Sequence, residues 1–343
     1  MSSGRRTDVI ELLARVNPVD AGALADTDKS PEAEETLARI LAIPRQPGRR
    51  LRRRWVVALA AGALLALVGV LIPAALLPDE RLGASQAAAR ALVRAATVAE
   101  RQRSVALVAG SYAYTRSQSF DLTTTVVGGR GFSALIPHAR EAWIGVDGSG
   151  RLRETSGEPI FLGPGDRAAW QAAGSPPLLE RTSDRRFGPG GLHRPDLASL
   201  PTDPVELYRV VRERAEQTDV PTNVEMLVVI GDLLRETAAP PPLRAALYRV
   251  AARIEGVELI GPVSDRAGRR GLAVGITSDY SGARQRKILV FDPDTSALLG
   301  ERTILLERVQ WLDAAPPVVI GDSVYLASGI VGSPEETVDA PSG

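Results

Sequence analysis

The 343-residue chain contains no cysteine. That excludes disulfides, thiolate nucleophiles, cysteine-ligated zinc and a lipid anchor on a cysteine. Histidine is almost as scarce. His138 and His193 stand alone beside Pro137 and Arg194, and neither has a second histidine at metal-ligand spacing. Aromatic residues make up only 4%, so a core must be built from Leu, Val, Ile and Ala. Lysine is reduced to Lys29 and Lys287 against 39 arginines, and the formal net charge is zero. A nucleic-acid partner is not expected, because phosphate recognition needs a dense basic face.

Catalytic motifs are missing too. There is no G-x-S-x-G elbow, no Ser-x-x-Lys pair and no P-loop. Asp147-Gly148-Ser149-Gly150 lacks the alternating acids and terminal Glu of a calcium loop and reads as a turn. Asp292 and Asp294 read as turn residues as well. The sequence therefore predicts no enzyme, no catalytic or metal-binding residues and no cofactor. It leaves the ligand-binding residues of the chain unassigned.

What the sequence does contain is one long uncharged run, Trp55–Leu77, of 23 residues. At 1.5 Å per residue it reaches roughly 34 Å as a helix, enough for a hydrocarbon core of about 30 Å. Arg49, Arg50, Arg52, Arg53 and Arg54 stand immediately before it, and Asp79-Glu80-Arg81 follows it closely. Placing one arginine at a bilayer centre costs about 2.5–3.5 kcal/mol, so the cluster stays on the side where it was made. A cleaved signal peptide fits poorly, because 54 residues precede the run and it exceeds the usual length of about 7–15. The expectation is an uncleaved, single-pass transmembrane helix over 55–77, with the N-terminus cytoplasmic and the C-terminal domain outside. The five arginines would flank the membrane and meet anionic lipid headgroups.

Residues 1–54 carry 11 basic and 8 acidic side chains. Val9, Leu12, Leu13 and Val16 share one face of a short helix. A second helix is predicted from Ser30-Pro31, with acids in its first turns and Ala33, Leu37, Ile40 and Leu41 on its apolar face. Helices this short are marginal alone in water. The segment reads either as a weakly structured leader or as a docking element for a cytoplasmic protein, with Val9, Leu12, Leu13, Val16, Leu37, Ile40 and Leu41 as the candidate docking face.

Beyond the apolar run, Ser85–Arg103 is Ala-rich and predicts a helix, either a stalk or the first packed helix of a domain (78–103). Over 104–330 the pattern predicts an α+β domain. Strands are expected in 104–127. A hairpin follows, with strands at 139–146 and 151–155. Residues 163–200 read as a loose surface loop with one short helix near Asp166–Ala173. Three helices come next, opened by Asp203-Pro204-Val205-Glu206, by Thr222-Asn223-Val224-Glu225 and after Pro240-Pro241-Pro242. An antiparallel meander closes the domain, at 257–263, 271–277, 287–291, 298–307 and 318–328, with one face buried and the other wet. Residues 331–343 read as a flexible tail.

The stretches "LPTDPVELYR" (200–209), "IGDLLRETAAPPPLRAALYRVAARIEGVELIGPVSDRAGRRGLAV" (230–274) and "LVFDPDTSALLGERTILL" (289–306), with the inner "RVNPVD" and "SPEAEETLARILAIP", carry a resemblance. With the arginine-fenced span they resemble an uncharacterised family of single-pass, membrane-anchored proteins of actinobacteria, often encoded beside extracytoplasmic-function sigma factors. The resemblance covers most of the chain, more loosely in 104–195. It implies a transmembrane regulatory role with a cytoplasmic sigma factor as partner. The chain lacks the His and paired Cys of the zinc-binding anti-sigma module, so such a contact would be made without zinc. The strands–helices–meander order is also similar, at fold level, to the half-barrel of envelope lipoprotein carriers and sigma-pathway sensors. A sheet whose helices could cover one face offers the alternative partner, an apolar ligand such as a lipid held in the sheet's concave face.

Overall fold

The computed structural model describes residues 83–338, apart from 104, 128–129, 179–181, 193–196 and 236–238. The readings made on residues 1–82, both inner helices, the arginine cluster and the apolar run, lie outside the described residues, as does His193. Among the described residues no helix is long and apolar enough to cross a membrane.

Helix α1 (Gln86–Glu100) opens the domain. Ser85 caps it, its Oγ accepting from the Ala88 amide at 3.2 Å. The buried stripe Ala88, Ala89, Leu92, Ala95, Ala96 and Ala99 is made almost wholly of methyl groups. Small side chains allow α1 to lie close along α5 (Pro241–Ala251). The helix is part of the core and not a stalk.

Four strands follow: β1 (Tyr112–Val127), β2 (Arg130–Gly145), β3 (Gly150–Ser156) and, after α2 (Pro164–Ala172), β4 (Thr182–Phe187). Then come α3 (Pro204–Ala215), α4 (Thr222–Arg235) and α5, and finally β5 (Glu258–Ser264), β6 (Arg270–Ser278), β7 (Gln285–Phe291), β8 (Leu298–Leu305) and β9 (Val318–Val331). All nine strands form one antiparallel sheet in the order β4-β3-β2-β1-β9-β8-β7-β6-β5. Two meanders, β1–β4 and β5–β9, are thus joined side by side where the last strand returns to the first.

Helices α1, α3, α4 and α5 share one core with Val274, Ile276, Leu289, Phe291 and Leu298 of the second meander; α4 lies on the strands, and α3 packs on α4 and α5. Each fully buried aliphatic or aromatic side chain there contributes about 1.5–3 kcal/mol. The opposite face of the same strands is also covered: Ala273, Ile288, Val290 and Leu299 form a second buried cluster. The expectation of one wet face therefore fails for β6 and β7. Their near-continuous runs, Leu272–Ile276 and Ile288–Phe291, are those of strands buried on both sides.

Two further differences concern quiet sequence. β4 lies inside the stretch read as a loop. Its residues, Thr-Ser-Asp-Arg-Arg-Phe, show no buried alternation, and backbone pairing with β3 holds them. Residues 332–338, read as tail, turn back onto the sheet: the Trp143 Nε1–H donates to the Glu336 carbonyl at 2.6 Å. Helix α4 starts a residue earlier than its Thr-x-x-Glu spacing suggests. The Pro221 carbonyl accepts its first bond, from the Glu225 amide at 3.0 Å.

Candidate functional site

Strand register places two rows of side chains across β1–β4 on one face of the sheet. The first row is Tyr114, Trp143, Arg151 and Arg186; the second is Arg116, Glu141, Arg153 and Asp184. Alternation along β1 puts Tyr114, Arg116 and Phe120 on the same side. This face gathers Tyr114 and Trp143 with four arginines, Arg116, Arg151, Arg153 and Arg186.

Trp143 is the centre. Its ring lies 5.1 Å from that of Tyr114, and the guanidinium carbons of Arg151 and Arg153 stand 5.5 and 5.7 Å from its centroid. Each such cation–π contact contributes about 0.5–1 kcal/mol where it is exposed and more where it is dry. Glu141 accepts from the Tyr114 hydroxyl at 2.8 Å and from Arg153 Nη1 at 3.1 Å. Burial and the Glu141 carboxylate push the Tyr114 phenol up to about 12. Arg151 grips Asp184 with two bonds, of 2.8 and 2.6 Å. The hydrogen bond from Arg151 holds the Asp184 carboxyl down at about 2. Arg116 Nε is buried with no hydrogen-bond partner.

The face continues past the β1–β9 junction. Phe120 pairs with Asp322, and Asp322 with Arg302. Arg266 lies 4.0 Å over the Phe120 ring and donates to Asp322 at 2.7 Å, while Arg302 bonds the same buried carboxylate at 3.1 Å. Asp322 is the buried charge here, and removing both guanidiniums would leave it unpaired, the costly direction for a buried charge.

A second polar cluster sits between the sheet and α4. Glu301 accepts from the Tyr325 hydroxyl at 2.6 Å and from Arg235 at 3.4 Å. Gly231 makes the room: a Cβ there would lie 3.1 Å from Glu301 Oε2. Burial raises the Glu301 pKa above its usual range, against the pull of Arg235. Burial pulls Arg235 down, but Glu301, Tyr325 and Asp232 outweigh it and the pKa is raised. Such a carboxyl–phenol pair could shuttle a proton, yet α4 closes over it. Its evident effect is to fix α4 on β8 and β9.

Near α2 the surface opens into a cleft of about 330 Å³, whose lining includes Ile136, Pro159, Trp170, Pro176, Pro177 and Leu178. The helical layer itself packs directly on its strands. Among the described residues no group of His, Asp and Glu is placed to hold a metal ion. His138 bonds Ser156 and Glu154 on the neighbouring strand, at 3.2 and 3.5 Å.

Apart from His138, none of these groups was singled out in the sequence. The signal that could have found them is the pairing of Tyr112-x-Tyr114 with Trp143 and of Arg151 with Arg153, each at period two. The predicted docking face and membrane-flanking arginines lie outside the described residues, so the structure neither gathers nor separates them. Compared with known families and with curated proteins, the chain matches no family model and no curated protein.

Proposed function

We propose that the chain is a single-pass membrane protein, not an enzyme, whose domain over 83–338 is an extracytoplasmic sensing or binding domain and whose residues 1–54 dock a cytoplasmic sigma factor. The observation that carries the reading is the arginine-fenced, 23-residue apolar run set ahead of a separately folded domain. The aromatic–arginine face of β1–β4 supports binding in preference to catalysis, because its arginines are gathered around a tryptophan and one of them, Arg116, keeps a buried Nε with no hydrogen-bond partner. The resemblance to the sigma-factor-linked family supports the inner half of the proposal.

The test is a periplasmic-type enzyme reporter fused after Gly343, with recovery of sigma factors on the tagged full chain. An active reporter and a co-purified sigma factor are expected. A reporter active only in the cytosol would overturn the topology; an empty pull-down would overturn the inner partner alone.

The second reading is an envelope module for a lipid or other apolar ligand, in keeping with a half-barrel. The cleft beside α2 favours it, with Trp170, Ile136, Leu178 and three prolines set beside Ser156, Glu158 and Ser175, at the small end of ligand-pocket volumes. Native mass spectrometry of the full chain released from detergent should then retain an apolar ligand that Trp170→Ala loses.

A further inference from the structure

β9 ends at Val331, and no strand ladder takes up the described residues after it. Ser333–Val338 nevertheless crosses the sheet face around Trp143. Its backbone is held by side chains of the sheet: Trp143 Nε1–H donates to the Glu336 carbonyl at 2.6 Å, and Arg151 Nη1 to the Pro334 carbonyl at 3.4 Å. Glu335 pairs with Arg186 at the exposed rim. Val338 packs against the cluster of Tyr114, Trp143, Ala327 and Val331. Gly329 leaves it space: a Cβ there would come within 2.7 Å of Val338. With this segment in place Trp143 is 1% exposed.

These are the contacts of a bound peptide. Two ring and guanidinium donors read carbonyls, which every polypeptide offers. Selectivity comes from the arginines, which favour carboxylates, and from the apolar seat, which takes a branched side chain two positions beyond Glu336. We propose that the groove around Trp143 is a docking site for a short, acidic, turn-forming peptide segment of another polypeptide, and that Ser333–Val338, turned by the Glu336 amide donating to the Ser333 carbonyl at 3.2 Å, occupies it in cis as a displaceable strap. Being tethered, the strap acts at an effective concentration in the millimolar range, so an incoming segment must bind better or find the strap pulled away. The inference stands apart from the membrane topology, since it uses only contacts within the domain.

The test reads Trp143 directly. 5-Fluorotryptophan is incorporated into the full chain, and the Trp143 fluorine resonance is assigned with Trp143→Phe. In the full chain, added peptide 333–343 should leave that resonance unmoved. In a chain ending at Gly332 the resonance should shift, and the same peptide in trans should restore it. A peptide with Glu335→Lys, which loses the pair with Arg186, should bind about tenfold more weakly. Val338→Asp in the full chain should also shift the resonance. A Trp143 signal indifferent to truncation overturns the proposal, as does a shifted signal that millimolar peptide fails to restore. Loss of the strand signal in circular dichroism on truncation overturns it as well, because the segment would then be part of the core.

Discussion

Glu301 sits where a carboxylate is costly, beneath α4 with a phenol and a guanidinium for company. Burial raises its pKa above the ordinary value of 4.5, so the folded state holds its proton more tightly than the unfolded chain. Its contribution to stability is complete below pH 4.5 and is lost as pH rises through the raised value. Asp232 and Glu225 shift in the same direction, mainly through burial. Asp232 Oδ1 lies 2.6 Å from Arg235 Nη2 but makes no hydrogen bond; the contact is an ion pair of poor angle. Urea unfolding of the wild type and Glu301→Gln at pH 4 and pH 7 should show the wild type losing more stability over that interval. Parallel profiles would mean that Glu301 binds its proton equally well in the folded and unfolded chain. At this scale the sequence was nearly silent. Glu301 stands in a strand of mixed polarity, and only the glycine opposite, on a helix 70 residues earlier, makes it a buried acid.

Helices and hairpins were far more legible. Asp203 caps α3 as its spacing predicts, accepting from the Val205 and Glu206 amides at 2.9 and 3.0 Å, because a cap is a local bargain between one side chain and nearby amides. The Asp147–Gly150 turn was legible for the same reason: Asp147 Oδ1 accepts from the Ser149 amide and hydroxyl. β4 was not, since its stability comes from a neighbour's backbone and not from its own pattern. The turn supports a sharp prediction. Gly150 has φ +152°, and a Cβ there would lie 1.8 Å from the Trp143 carbonyl oxygen. Gly150→Ala should destabilise the domain by at least about 3 kcal/mol. Gly110, with φ +82° and nothing within 4 Å, is the control: Gly110→Ala should cost only about 1 kcal/mol. Equal midpoints in urea for the two variants would refute the difference.

The two meanders are one sheet because β1 pairs with β9 over ten positions, Tyr112 to Asp121. That junction was not legible in the sequence: strand order depends on contacts between residues some two hundred apart, and period-two patterning carries no address for the partner. With so long a shared ladder, the halves should unfold together. Circular dichroism and tryptophan emission should give coincident transitions, and a resolved first step confined to β1–β4 would show the junction to be weak. The same pairing also sets a timetable. A ribosome delivers β1 early and β9 almost last, with roughly 190 residues between Val127 and Val318. Throughout that interval the centre of the future sheet is a bare rim of sixteen residues, open to any stray strand. Nascent chains stalled before residue 318 should therefore depend on chaperone cover far more than the finished protein does.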